Sequence, residues 1–393
     1  MAVRSKSIQK VIRWKSNPGL TLLGFVMLFA VVGVYLLIGS HASTPSVSLN
    51  ADKGTLANGA TIQSDSAASD GTYVVLGSAG GGGLGPCLSN LTPTAGLPFC
   101  LWGQQNPSAM NQPLPSNPAI DANSSSILSL INNSSHVASL SSFGTTVDDT
   151  ASANTTVTLH CTYNASWGTC NYEGQSVRVN GSWMPSSGSD GAMVIIDRTA
   201  RKVYDLWQVS TNTNGTISIA SGTLTVGYGG VTSLDGNGQN KAATGSGLSH
   251  MFGMIRQFEM ANAPSSPSTA IPHALHFASQ STCSTFRYPA IKSDGHTGSP
   301  CIPEGTRVFL DSSANCAAVT PVGSEAVCYA LQKYGAYESD TAGSAFSIGL
   351  EGSGGSTIAQ PYINAGFTAD YYNMTSIPWS HLHVAADCQC QQT

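Results

Sequence analysis

The chain has 393 residues and a formal net charge of -5, and only 9% of its residues are charged, against about 25% in an ordinary soluble domain. Solubility must therefore come from uncharged polar groups, and the missing basic field excludes nucleic acid as a partner. Hydroxyl and amide surfaces of this kind suit neutral glycans, a composition shared by many secreted β-proteins.

Arg4, Lys6, Lys10, Arg13 and Lys15 precede an unbroken apolar run at residues 20–38, and the next basic residue is Lys53. At about 1.5 Å per helical residue the run covers roughly 28 Å, the thickness of a bilayer's hydrocarbon core. The charge bias holds residues 1–19 in the cytoplasm. The sequence thus predicts a single-pass transmembrane anchor in the cell membrane with an extracellular C-terminal portion. Ser40, His41 and Ala42 offer a competing reading, a cleaved signal peptide, which exports the same residues.

Residues 44–78 alternate in short stretches separated by Gly and Asn turns and read as a short β fragment. They resemble the opening strands of carbohydrate-binding modules of families 6 and 35, cut off before the binding loops, so ligand binding does not come with the resemblance. Residues 79–85, with four consecutive glycines from Gly80 to Gly83, read as a flexible linker. Residues 86–393 carry no internal repeat or second linker and read as one secreted β-rich domain.

All ten cysteines lie in this last part, which fits an oxidising compartment. Proximity pairs Cys87 with Cys100, Cys161 with Cys170, Cys283 with Cys301, and Cys316 with Cys328. Cys388 and Cys390 are too close along an extended chain to bond without strain, so at least one reaches elsewhere. Strands are predicted at 155–163, 175–179, 192–197, 202–209, 216–220, 223–228, 307–311 and 345–350. Leu248, Met251, Phe252, Ile255 and Phe258 have helical spacing after Ser246, as do Val327, Ala330, Leu331 and Tyr334 between Ser324 and Gly335. The fold class that follows is mainly β, an antiparallel β-sandwich with two or three packed helices.

Within residues 188–383 stand the blocks Gly188-Ser-Asp190-Gly-Ala192-Met-Val-Ile-Ile-Asp197, Tyr204-Asp205-Leu-Trp207, Ala243-Thr-Gly-Ser-Gly-Leu248 and Ile271-Pro-His273-Ala-Leu-His276. Downstream come Tyr288-Pro-Ala-Ile-Lys-Ser-Asp294-Gly295, Ile302-Pro-Glu304-Gly-Thr-Arg307, Ala330-Leu-Gln-Lys-Tyr334-Gly and Ile377-Pro-Trp379-Ser. In this order they resemble an actinobacterial-type family of secreted bacterial proteins, often found beside carbohydrate-binding modules and without an established activity. The family often has a His where this chain has Ala192.

Glycoside hydrolysis needs two carboxyl groups flanking the bond, one protonated and one ionised. Asp190, Asp205, Asp294 and Glu304 are the candidates. Asp294 stands first among them because Ser293-Asp294-Gly295-His296 is a turn beside a strand, although a turn-forming Asp has a local backbone role too. A polysaccharide lyase would instead use His273 and Tyr288 as bases with Arg287 neutralising the acid group; His273 reads equally as an interior imidazole. Trp102, Arg287, Tyr288 and His296 are the substrate-binding candidates, and Trp167, Trp183, Trp207 and Trp379 would stack on sugars if exposed. His381, His383, Cys388 and Cys390 have ligand chemistry for zinc, but their spacing matches no standard zinc module and oxidation claims the thiols. No metal or other cofactor is expected.

The sequence therefore points to a surface-anchored, carbohydrate-active protein whose partner is a polysaccharide or cell-wall glycan, read first as a glycoside hydrolase. A noncatalytic glycan-binding adhesin, the lyase and a structural surface-layer component are the alternatives.

Overall fold

The computed structural model describes residues 61–64, 72–75, 108–167, 169–234, 236–239 and 244–389. The predicted anchor at 20–38, the linker, Cys87, Cys100, Cys390, Trp102 and the side chain of Trp167 lie outside the described residues. Among those described, no helix is long and apolar enough to cross a membrane. The chain divides into two units, Met1–Gly81 and Gly82–Thr393. In the first, Thr61–Ser64 and Thr72–Val75 pair as an antiparallel hairpin.

Among the described residues the second unit is built on three larger sheets and a two-stranded pair, Thr282–Phe286 with Ile302–Glu304. Met193–Asp197 is the pivot, because its first four residues are all buried. Met193 and Ile195 pack with Val157, Leu159 and Leu224, while Val194 and Ile196 pack with Phe252, Met254 and Tyr337. A strand apolar on both faces must lie between two layers, and each such side chain contributes about 1.5–3 kcal/mol of burial. Its sheet has five strands in the order Tyr228–Ser233, Lys202–Trp207, Met193–Asp197, Thr145–Asp149 and Glu351–Gly352.

On one side lies a four-stranded sheet of Ser176–Val179, Thr155–Cys161, Thr223–Val226 and Ile219–Ala220. Thr155–Cys161 ends in buried–exposed alternation, the mark of a strand with one face in the core. On the other side is a seven-stranded sheet in the order Tyr372–Asn373, His136–Ala138, Phe346–Ile348, Leu275–Ser279, Ala336–Thr341, Arg307–Leu310 and Leu382–Val384. Its core joins Leu275, Phe277, Val308 and Phe346 to Val327 and Leu331 of the helix Val322–Lys333.

The mainly β class holds, but the sheets are mixed instead of antiparallel. Leu275–Ser279 runs parallel to Ala336–Thr341, and Thr145–Asp149 runs parallel to Met193–Asp197. Parallel neighbours need long crossovers, and the segments that supply them here include the helix Val322–Lys333. That helix matches the spacing read around Leu331. The one expected from Ser246 does not begin until Gln257–Asn262. Cys161–Cys170, Cys283–Cys301 and Cys316–Cys328 are disulfide-bonded as expected. Cys388 is also disulfide-bonded, and since the other six described cysteines pair among themselves, its partner lies outside the described residues.

Candidate functional site

A cleft of about 580 Å³ opens where the seven-stranded sheet meets the start of Met193–Asp197. Ala278 and Asp340, at the ends of the parallel strands Leu275–Ser279 and Ala336–Thr341, line it together with Asp190, Ser139, Ser189, Thr244, Ser339 and Thr341. Ends of parallel strands leave loops free to gather side chains, which is where ligand sites form in such sheets. Among the described residues lining this cleft there is no arginine or lysine.

Asp340 is the centre of its polar end. Its Oδ1 accepts hydrogen bonds from the amides of Gly245 (3.1 Å) and Thr341 (2.9 Å). Asp294, Glu304 and Asp340 each place a carboxylate oxygen within 4.8 Å of the others; of the described residues, these three could hold a cation. Asp294 is exposed and accepts a bond of 2.9 Å from the Thr341 hydroxyl. The turn that carries it is held by Ser293, whose hydroxyl donates to the Cys283 carbonyl at 2.5 Å, beside the Cys283–Cys301 disulfide. Glu304 is fully buried, and no amide, hydroxyl or ammonium donates to either of its oxygens. Behind it Glu338, on the same strand as Asp340, takes a bond of 2.6 Å from Thr282 at one oxygen and none at the other.

Crowding like charges in a buried place favours the protonated form. Burial and then the charges of Asp294 and Asp340 push Glu304 up to about 9. Burial and then Asp294 raise Asp340 to about 7, against the lowering effect of the two amides. Burial followed by Glu304 raises Glu338 as well. Lys292 is the nearby cation that opposes this for Glu304, and its ammonium also donates to the Thr244 carbonyl at 2.8 Å. Asp190 is raised by burial, offset in part by a hydrogen bond from Trp207.

The opposite rim is aromatic. Phe143 and Tyr371 line the cleft, are 41% and 51% exposed, and meet edge to face with ring centroids 6.3 Å apart. Tyr371 has a φ of 54°, unusual for a bulky side chain. Both are set by Asp370. Its carboxylate accepts from the amides of Leu140 (2.6 Å), Ser141 (3.2 Å), Ser142 (3.0 Å) and Tyr371 (3.0 Å), and from the Ser139 hydroxyl (3.2 Å). Burial alone would raise Asp370, but these hydrogen bonds outweigh it and hold the group well below the usual carboxylate range. Two neutral imidazoles complete the wall: burial lowers His250 to about 4 and His276 to about 3.

Of the carboxylates singled out in the sequence, Asp190 lines the cleft; Asp294 and Glu304 do not, but meet Asp340, which does. Asp205 stands apart. It is fully buried and accepts from the Ser249 hydroxyl (3.0 Å) and the His250 amide (2.8 Å), so it holds the turn that carries His250. Burial raises it to about 7. His273 is closed inside the protein, bonded to Glu259 at 3.1 Å and to the Ala274 carbonyl at 2.8 Å. Arg287 pairs with Asp121 at 2.8 Å, and Tyr288 packs beside the Phe252 cluster. The trio named for a lyase is thus absent from the cleft lining. His296 is exposed.

Trp183 is buried, and Trp379 stacks on His136 at 3.9 Å while its indole donates to the Met374 carbonyl. His381 and His383 both face Asp311, at 3.4 and 3.0 Å. With Cys388 disulfide-bonded, one of the four ligands considered for zinc is lost. Asp340, Glu338, Phe143, Tyr371 and Asp370 escaped the sequence reading. Only a strand prediction through Ala336–Thr341 would have exposed the first two. Compared with known proteins, the chain matches no family model, no curated protein and no solved structure.

Proposed function

We propose that the chain is a surface-anchored, extracytoplasmic carbohydrate-active protein that hydrolyses a neutral polysaccharide in the cleft between Asp190 and the Phe143–Tyr371 rim. One observation carries the reading: a hydroxyl-lined cleft presents two carboxylates, Asp190 and Asp340, together with two exposed aromatic rings. Sugar rings offer hydroxyls to the first and C–H faces to the second. The missing basic lining favours a neutral polymer over an anionic one.

In this reading Asp190 is the proton donor, oriented by its hydrogen bond from Trp207. Asp340 is the partner carboxylate, ionised above the value of about 7 to which burial and Asp294 raise it, with one oxygen held by the amides of Gly245 and Thr341. Support for export comes from the basic stub and apolar run of the sequence and from the three disulfides, which persist outside reducing compartments. The sequence resemblance of residues 188–383 to secreted bacterial proteins often found beside carbohydrate-binding modules points toward a glycan as partner.

The test is release of new reducing ends from a panel of neutral polysaccharides. Asp190→Asn lowers kcat by on the order of 10²–10⁴ while leaving substrate affinity within a few fold. The aromatic rim also favours a second reading, an adhesin, which predicts affinity for the same polymers with no product from the wild-type protein. Neither product nor affinity across the panel would refute both.

A further inference from the structure

Asp294, Glu304 and Asp340 converge in a way that the hydrolysis chemistry does not require. Glu304 is fully buried, no amide, hydroxyl or ammonium donates to either oxygen, and the group within hydrogen-bond reach is another carboxyl, Asp294; leaving a buried carboxylate without donors is costly. The fold also keeps the place open. A Cβ on Gly245 would lie 2.3 Å from Glu304 Oε1 and 2.4 Å from Asp294 Oδ1, so any side chain there would fill the gap between the carboxylates. The Gly245 amide meanwhile donates to Asp340 Oδ1, which ties the edge of the gap to the third ligand.

We infer that Asp294, Glu304 and Asp340 form a binding site for a hard divalent cation of the calcium class. Three oxygen donors without nitrogen or sulfur select hard cations. Oxygens about 2.4 Å from a Ca²⁺ ion stand at most roughly 4.8 Å apart, a limit that the three carboxylate oxygens here keep. Mg²⁺ demands near-ideal octahedral geometry and gives up its waters reluctantly, so three carboxylates from separate segments suit it less well. Asp294 is exposed and gives the ion a path from solvent, and Glu338 adds negative charge behind. Lys292 supplies one positive charge nearby, too few for four carboxylates. Without a cation, protons must make up the difference. The inference stands on this geometry and does not depend on the polysaccharide reading; with the ion bound, Asp340 remains ionised, as that reading also requires.

The experiment is calcium titration of the full-length chain in mild detergent, followed by calorimetry and thermal unfolding, with MgCl₂ as the comparison. Ca²⁺ at a hundredfold excess over its Kd raises the unfolding temperature by about 5 °C, and Mg²⁺ binds at least tenfold more weakly. Glu304→Gln abolishes the calcium shift while unfolding in chelator at or above the wild-type temperature, because the amide is neutral without having to take up a proton on burial. Gly245→Ala also loses the shift, and Asp190→Asn keeps it. No response of the wild-type protein to millimolar Ca²⁺, or a full response in Glu304→Gln, overturns the site. Calcium binding without sugar release or sugar affinity would sink the polysaccharide reading and leave the cation site standing; sugar release indifferent to calcium and chelator, with no calcium binding, would do the reverse.

Discussion

Replacing Asp370 by alanine removes one carboxylate that organises both halves of the aromatic rim. Four amides and one hydroxyl donate to it, and hydrogen bonds to a charged acceptor contribute about 1.5–3 kcal/mol each when buried. Asp370 is half-buried and water can replace part of what is lost, so the sum is discounted to a net cost of about 3 kcal/mol. For a body of this size that lowers the unfolding temperature by about 6 °C. Urea unfolding measures the cost directly. The pH dependence has a definite sign. The folded protein holds the Asp370 pKa below its unfolded value, so the stabilisation is complete above the unfolded value of about 3.9 and fades as pH falls toward the folded one. The stability gap between wild type and Asp370→Asn therefore shrinks below about pH 4. A cost of Asp370→Ala under about 0.5 kcal/mol, within the range of an ordinary surface substitution, would refute the reasoning. So would a gap to Asp370→Asn that stays constant into acid.

Phe143→Ala and Tyr371→Ala each weaken binding of a neutral oligosaccharide by about fivefold, the equivalent of about 1 kcal/mol of lost ring contact, when titrated calorimetrically; unchanged affinity in both would remove the rim from the site. Burial lowers the His273 pKa but Glu259 more than restores it, leaving it raised, so the pair stabilises fully below about pH 6.5 and less as pH rises through the raised value. Glu259→Gln consequently destabilises more at pH 5 than at pH 9, by about 3–5 kcal/mol at the lower pH in urea unfolding, and equal losses at both would contradict the pairing. Replacing Cys316 and Cys328 together by alanine opens a loop spanning 12 positions and costs about 3 kcal/mol in the same assay.

The sequence was most legible where one face of a strand is in the core or a whole strand is apolar. Residues of Thr155–Cys161 alternate, and Met193–Asp197 is a continuous apolar run, so both were found close to their true bounds. Ala336–Thr341 was invisible because it buries Glu338 and Ser339 beside Ala336 and Tyr337. A polar strand inside a protein has no hydrophobic period to detect, and it is this strand that carries Asp340 into the site. The stripe from Leu248 to Ile255 has helical spacing, but Gly253 adopts a φ of 77° and sits where a Cβ would lie 2.6 Å from the His276 amide nitrogen. Close packing against Leu275–Ser279 overrides the local periodicity there, and the helix waits until Gln257. Strand direction was illegible for a different reason. The partners Leu275–Ser279 and Ala336–Thr341 are far apart in the chain, and no local pattern reports which way two distant strands meet. Asp190, Asp294 and Glu304 were visible as carboxylates in turns and strand ends, whereas the meeting of Asp294 and Glu304 with Asp340 depends on those distant pairings.

The most direct test of the central claim is a crystal structure of the Asp190→Asn protein with a neutral oligosaccharide. The account predicts a sugar ring against Phe143 and Tyr371, with a glycosidic oxygen within hydrogen-bond reach of residue 190. A sugar bound elsewhere on the surface, or a cleft left unfilled at saturating oligosaccharide, would contradict it.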